Sequence, residues 1–162
     1  MRKLVSLMIV CCGIPVNTYA IIIPFEAREF DEFGNICCDD EKARLDNFFI
    51  EVQNNPEMQW YIIFYGGRCH SYSYCHSSRL RIPRRRESEA RAARLKPYLV
   101  DTRGLESKRV VVVNGGYREL LMAELWIVPK GAKPPTPTPT VQGEDMKFRK
   151  GKPIKREYLC ME

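Results

Sequence analysis

Apolar positions in the middle of the chain repeat with two periods, and the periods alternate. Residues 21–30 (Ile-Ile-Ile-Pro-Phe-Glu-Ala-Arg-Glu-Phe) set Phe25, Ala27 and Glu29 against Glu26 and Arg28, a spacing that predicts a strand. Leu45, Phe48, Phe49 and Val52 then return at helical spacing. Asp39 and Asp40 offer N-caps and dipole-compatible charge for that helix, and Asn54-Asn55-Pro56 is expected to stop it. Trp60 to Tyr65 is a continuous apolar run of strand length, as a strand covered on both faces requires, and Gly66-Gly67 is expected to end it. Glu87 to Val100 predicts a second helix with Ala92, Leu95 and Leu99 on one face. Pro97 requires a kink or an irregular last turn there, because an interior proline costs a helix about 3 kcal/mol. Arg109 to Val113 predicts a strand closed by Asn114-Gly115-Gly116, and Met122 to Val128 another. The order β-α-β-α-β-β within residues 21–129 predicts an α+β fold: a two-layer sandwich with two helices packed on a small mixed sheet.

The two ends of the chain follow other rules. Arg2 and Lys3, the mostly apolar stretch from Leu4 to Val16, and Thr18-Tyr19-Ala20 form the pattern of a secretory signal over residues 1–20. The apolar run is shorter than the roughly 20 residues that span a bilayer, so the expected mature chain is exported and has no transmembrane span. Residues 134–140 (Pro-Pro-Thr-Pro-Thr-Pro-Thr) lack an apolar face and read as an extended spacer. Residues 130–162 are therefore expected to be a disordered Pro/Thr-rich spacer and basic tail, available to a protein partner or an anionic surface.

Composition excludes a wholly disordered chain, since 44% of the 162 residues are hydrophobic and 28% charged. The net charge of +6 is unevenly placed. The leader holds two bases and no acid, and residues 130–162 hold eight bases and four acids, so residues 21–129 balance at sixteen of each. A globally basic nucleic-acid-binding domain is thereby disfavoured. Within the neutral domain, however, residues 68–96 carry nine bases and two acids, with Tyr72 and Tyr74 between them. Bases interleaved with aromatics suit an anionic polymer; the alternative is that these arginines pair with the domain's own acids.

Seven cysteines are present, five of them after the expected cleavage point. In an oxidising compartment Cys37, Cys38, Cys69 and Cys75 are the disulfide candidates, with Cys69 or Cys75 expected to join Cys37 or Cys38. Cys69-His70 and Cys75-His76 hold adequate donors for zinc, but adjacent ligands in one short loop are cramped, and no metal or other cofactor is expected. No phosphate-binding glycine loop, Gly-x-Ser-x-Gly elbow or His-Glu-x-x-His occurs, so catalysis is not expected.

The stretch Ser88-Glu89-Ala90-Arg91-Ala92-Ala93-Arg94-Leu95-Lys96-Pro97-Tyr98-Leu99 resembles the helix pattern Ser-x-x-Arg-Ala-x-x-(apolar)-x-x-(Tyr/Phe)-Leu of the OmpA-like C-terminal domain. Arg103-Gly104-Leu105, Gly116-Tyr117-Arg118-Glu119 and Glu124-Leu125-Trp126-Ile127 are similar to that family's later motifs, and Phe30-Asp31-Glu32-Phe33 with Leu45-Asp46 to its opening ones. The resemblance implies a periplasmic or outer-membrane-associated protein that binds peptidoglycan or another anionic envelope polymer without catalysis. It implies a ligand role for Arg91, whose family counterpart grips the diaminopimelate of the peptide stem together with an aspartate. The aspartate position is held by Arg68, which reverses its charge, and Pro83-Arg84-Arg85-Arg86 replaces the asparagine before the helix. Arg91 is thus the expected ligand-facing residue, with Arg68, Arg84 and Arg85 shaping a more cationic site. A second reading keeps the fold, gives up the peptidoglycan site, and binds a protein or anionic surface through the basic loop or tail.

Overall fold

The computed structural model describes residues 26–70 and 80–153. The expected signal segment, Cys75, His76, Tyr72 and Tyr74 lie outside the described residues. The elements are strand β1 (Arg28–Phe33), helix α1 (Cys38–Gln53), strand β2 (Met58–His70), a two-residue strand β3 (Leu80–Arg81), helix α2 (Glu87–Ala92), strand β4 (Val110–Leu120) and strand β5 (Met122–Pro129). A short turn of helix at Leu95–Pro97 and a π-helical turn at Tyr98–Thr102 continue α2. This is an α+β fold with helices packed on a small mixed sheet.

Strand β5 lies between β1 and β2, antiparallel to both, and β4 joins the opposite side of β2 in parallel. Strand β3 pairs only with Cys69 and His70 at the far end of β2. Alternation along β2 sends Trp60, Ile62 and Phe64 into the core under α1 and the α2 segment. There they meet Leu45, Phe48 and Val52 of α1, Leu95 and Leu99, and Ala123, Leu125 and Ile127 of β5. Ile63 and Tyr65 point to the other face and are equally buried. The unbroken apolar run of β2 therefore serves two faces.

Helix α1 starts after Cys37, whose side chain makes no capping bond, and Asp39 and Asp40 stand inside its first turn instead of capping it. Their charge still favours the positive end of the helix dipole. The Pro97 irregularity takes the second of the two expected forms. The regular helix ends at Ala92, and the chain regains helical bonding only as one short turn and a π turn.

Glycine produces the larger departures. Gly66-Gly67 does not end β2, which runs on to His70. A Cβ on Gly67 would overlap the backbone of Leu120 and Leu121, so glycine is what lets the β4–β5 turn close on β2, where the Leu121 N–H donates to the Arg68 carbonyl. Gly115-Gly116 does not end β4 either; it marks a register shift opposite Phe64 and Tyr65, with Gly116 at φ 85°.

Residues 130–153 do not leave the domain as a solvated spacer. The Thr138 N–H donates to the Tyr65 hydroxyl at 3.1 Å, and Arg118 donates to the Thr138 hydroxyl at 2.7 Å. Beyond it, the N–H groups of Thr140 and Val141 both donate to the Tyr117 carbonyl, and the Arg149 N–H donates to the Pro83 carbonyl at 3.0 Å. The expected disorder of this segment is corrected to that extent. Its prolines cannot form a strand ladder, but they leave it extended, and the back of the sheet supplies polar groups that hold it.

Replacing Gly67 by Ala is expected to lower stability by about 2 kcal/mol or more, because the clash is with backbone that cannot rotate away. Urea unfolding followed by tryptophan fluorescence measures the loss; an unchanged midpoint would refute the close approach.

Candidate functional site

The cationic stretch is organised by one carboxylate. Glu87 lies in the first turn of α2, and its side chain has no exposed surface. It accepts the Arg84 backbone N–H at 2.7 Å and the guanidinium groups of Arg81 and Arg91 at 3.2 Å each. The Cys69 thiol donates to it at 3.6 Å, and Arg149 from the C-terminal segment approaches at 3.7 Å. Burial alone would raise the carboxyl above its usual range; the Arg84 N–H, then Arg91 and Arg81, outweigh that and hold it below. The Cys69 thiol is pushed up, by burial first and by the Glu87 charge, with Arg91 and Arg81 opposing.

Arg91, the expected ligand-facing residue, points inward. Its side chain is 2% exposed, and besides Glu87 it donates to the Asn35 side-chain oxygen and to the Cys69 sulfur. Arg94 is similarly used: it makes a two-pronged pair with Glu41, tying the α2 segment to the first turn of α1. Arg68 is next to Cys69 on β2, so alternation places it on the opposite face, where it is half exposed and 3.9 Å from Glu119. The structure therefore does not bring Arg68 and Arg91 together. The same alternation separates Cys69 from His70 as joint metal ligands, and no group of three metal-binding side chains occurs among the described residues.

The disulfide candidates divide. Cys37 and Cys69 are not in a disulfide, Cys38 is disulfide-bonded, and Cys75 lies outside the described residues. The expected participation of Cys69 in a bridge is corrected: its sulfur is enclosed by Arg91 and Glu87 instead.

Two other arginines of the stretch are turned outward. Arg85 and Arg86, exposed just ahead of α2, form one wall of a groove of about 800 Å³. Arg149, Lys150 and Lys152 of the C-terminal segment form the other wall. Among the described residues, the only acid lining this groove is Glu89. Arg85, Arg86, Lys150 and Lys152 have no ion-pair partner among the described residues, while Arg85 stacks on Phe148 at 4.7 Å from the ring centre. Arg84 contributes its backbone and a bridge to Arg149. A second hollow, about 600 Å³ between α2 and β4, is largely apolar, lined by Ala92, Pro97, Val100 and Val112.

The charge run located one wall of the groove. It missed the other, because Arg149, Lys150 and Lys152 lie more than fifty residues downstream behind a Pro-Thr stretch that reads as a spacer. The alternation of Phe148 with bases was the available signal. In comparisons with known proteins, no family model matches the sequence and no curated protein matches it significantly.

Substituting Glu87 by Gln is expected to cost about 3–5 kcal/mol near neutral pH, since the buried Arg91 and partly buried Arg81 guanidinium groups lose their counter-charge. An unfolded glutamate titrates near 4.5 and the folded one lower. The stabilisation is therefore complete above that pH and fades as acid reaches the depressed value. Denaturation curves across this acid range should show the gap between the two proteins closing. In the native protein, iodoacetamide is expected to label Cys37 well before the enclosed Cys69, with both labelled after unfolding; mass spectrometry of the peptides reads the order.

Proposed function

We propose that the chain is a non-catalytic binding module of the cell envelope, of the OmpA-like kind, which holds an anionic wall component through the groove between α2 and the C-terminal segment. One observation carries this reading. Within the basic stretch Arg81, Arg91 and Arg94 are neutralised inside the fold, whereas Arg85 and Arg86 remain open, and these two face further cations. A surface evolved only for solubility intersperses the two signs; a one-sign concavity raises the local concentration of a counter-charged ligand.

The family part of the proposal is supported by the element order β-α-β-α-β-β, with one short strand added, and by Arg91, Ala92, Leu95 and Leu99 all turning toward the sheet. Export is supported by the engaged state of Cys38, since disulfides persist in oxidising compartments. Among the described residues no helix is long and apolar enough to cross a membrane.

Peptidoglycan recognition by the family's stem-peptide grip has less support, because a diaminopimelate carboxylate would have to displace Glu87 from Arg91. Co-sedimentation with purified cell wall, before and after its attached anionic polymers are stripped, separates the readings. Binding is expected only to the polymer-bearing wall. It should fall at least about tenfold between roughly 50 and 200 mM salt, and fall similarly in an Arg85→Gln/Arg86→Gln variant. Salt-insensitive binding to stripped peptidoglycan that disappears in Arg91→Ala would establish the stem-peptide grip instead.

A further inference from the structure

The groove is a composite, and neither of its walls would be a site alone. Arg85 and Arg86 come from the approach to α2, and Arg149, Lys150 and Lys152 from a segment more than fifty residues later. An ion pair from Arg149 to buried Glu87 at 3.7 Å and several uncharged contacts bring the two walls together. The Phe148 ring packs edge-on against Tyr117 at 5.6 Å and carries the Arg85 guanidinium on its face. The N–H groups of Val141 and Arg149 donate to the carbonyls of Tyr117 and Pro83. Arg86 is held at φ 64°, a left-handed conformation that costs a non-glycine residue about 1–2 kcal/mol, at the point where the chain turns into α2 beside the groove. Nε and Nη2 of Arg149 are buried and have no hydrogen-bond partner.

Docking the C-terminal segment therefore sets Arg149, Lys150 and Lys152 against Arg85 and Arg86, and among the described residues Glu89 is the only acid lining the groove between them. Like charges at such a seam repel, and a multivalent anion lying between them removes the repulsion. Any ligand that touches both walls must then favour the docked state, and docking must raise its affinity by the same factor. The chemistry of the walls selects among anions. Arginine forks match the several acceptor oxygens of a phosphate group, and lysines add point charge, whereas a carboxylate offers two oxygens and one charge. The shape selects again, since a groove admits a chain and a flat bilayer would touch only its rim.

Resting on the reading of the groove given above, we infer that it is a phosphate site assembled by docking of the C-terminal segment, that it takes a phosphate-bearing polymer chain, and that occupancy and docking stabilise each other. The test uses the full mature chain with inorganic polyphosphate as the probe. Polyglutamate serves as the carboxylate control, and phosphatidylglycerol vesicles as the lipid one. Two variants leave every charge in place: Phe148→Ala removes the ring under Arg85, and Val141→Pro removes an N–H that holds the segment to Tyr117. Circular dichroism and thermal melting verify that both fold. Each is expected to weaken polyphosphate binding by about tenfold, within the usual range of coupling between sites. In the unmutated protein, polyphosphate should slow hydrogen exchange at the Val141 and Arg149 amides.

Unaltered affinity in both variants, or exchange at those amides indifferent to polyphosphate, would overturn the composite site while leaving the groove reading in place. Equal or tighter binding of polyglutamate would overturn the phosphate assignment, and preference for the vesicles the polymer assignment. Failure of the unmutated protein to bind any of the three probes would instead sink the groove reading on which the inference rests.

Discussion

Glu87 stands where β2, β3 and α2 converge, out of contact with solvent, and a carboxylate in that position costs several kcal/mol of desolvation unless donors surround it. The donors it draws in define this end of the molecule. Arg81 joins β3 to it, the Arg84 N–H fixes the approach to α2, Arg91 anchors the second turn of the helix, and Cys69 and Arg149 bring in β2 and the C-terminal segment. Arg91 passes the connection on to Asn35 beyond β1. Such a network can be satisfied in few geometries, so it acts on specificity of structure as much as on its depth.

The same carboxylate explains why a segment so rich in arginine is not simply a basic patch. Arg81 and Arg91 are spent on Glu87, and Arg94 on Glu41. Arg85 and Arg86 reach the surface beside α2, and their direction follows from the turn that Glu87 imposes by binding the Arg84 N–H. The position of the C-terminal segment has a different cause. Ile63 and Tyr65 occupy the sheet face that the helices leave uncovered, and buried Glu124 beside them accepts bonds from Tyr65, Trp126 and Arg118. The Arg118 guanidinium lies 3.7 Å from the centre of the Tyr65 ring and also holds Thr138. The segment completes a layer that would otherwise leave these groups facing water, and then runs on to bring its bases beside α2.

Much of the frame was legible because it depends on local periodicity. Leu45, Phe48 and Val52 face the core as their spacing requires, and the run from Trp60 to Tyr65 is buried on both sides as its continuity requires. The glycines were misread because a glycine pair looks the same whether it ends a strand or admits a neighbour. Gly67 exists for the backbone of Leu120, more than fifty residues away, and nothing adjacent to it in the chain discloses that. Asp39 and Asp40 fill the dipole half of their expected role and not the capping half, since the N-cap falls at Cys37 and either position suits an acid near the helix start. Arg91 shows the limit for the site: its motif locates it on the helix, but the side chain's direction depends on Glu87 and Asn35.

The sequence by itself determined the layers of this protein, because apolar period is a property of neighbouring residues and burial follows from it. It also determined that positive charge concentrates on one side of the second helix. Which of those charges are free was decided only in three dimensions, since an arginine is neutralised or exposed according to whether a distant carboxylate faces it. The far wall of the groove belongs to the same category. Arg149, Lys150 and Lys152 are a solvated tail as a string of letters, and become one wall of a groove because the back of the sheet captures Thr138 and Val141 and the approach to α2 holds Arg149.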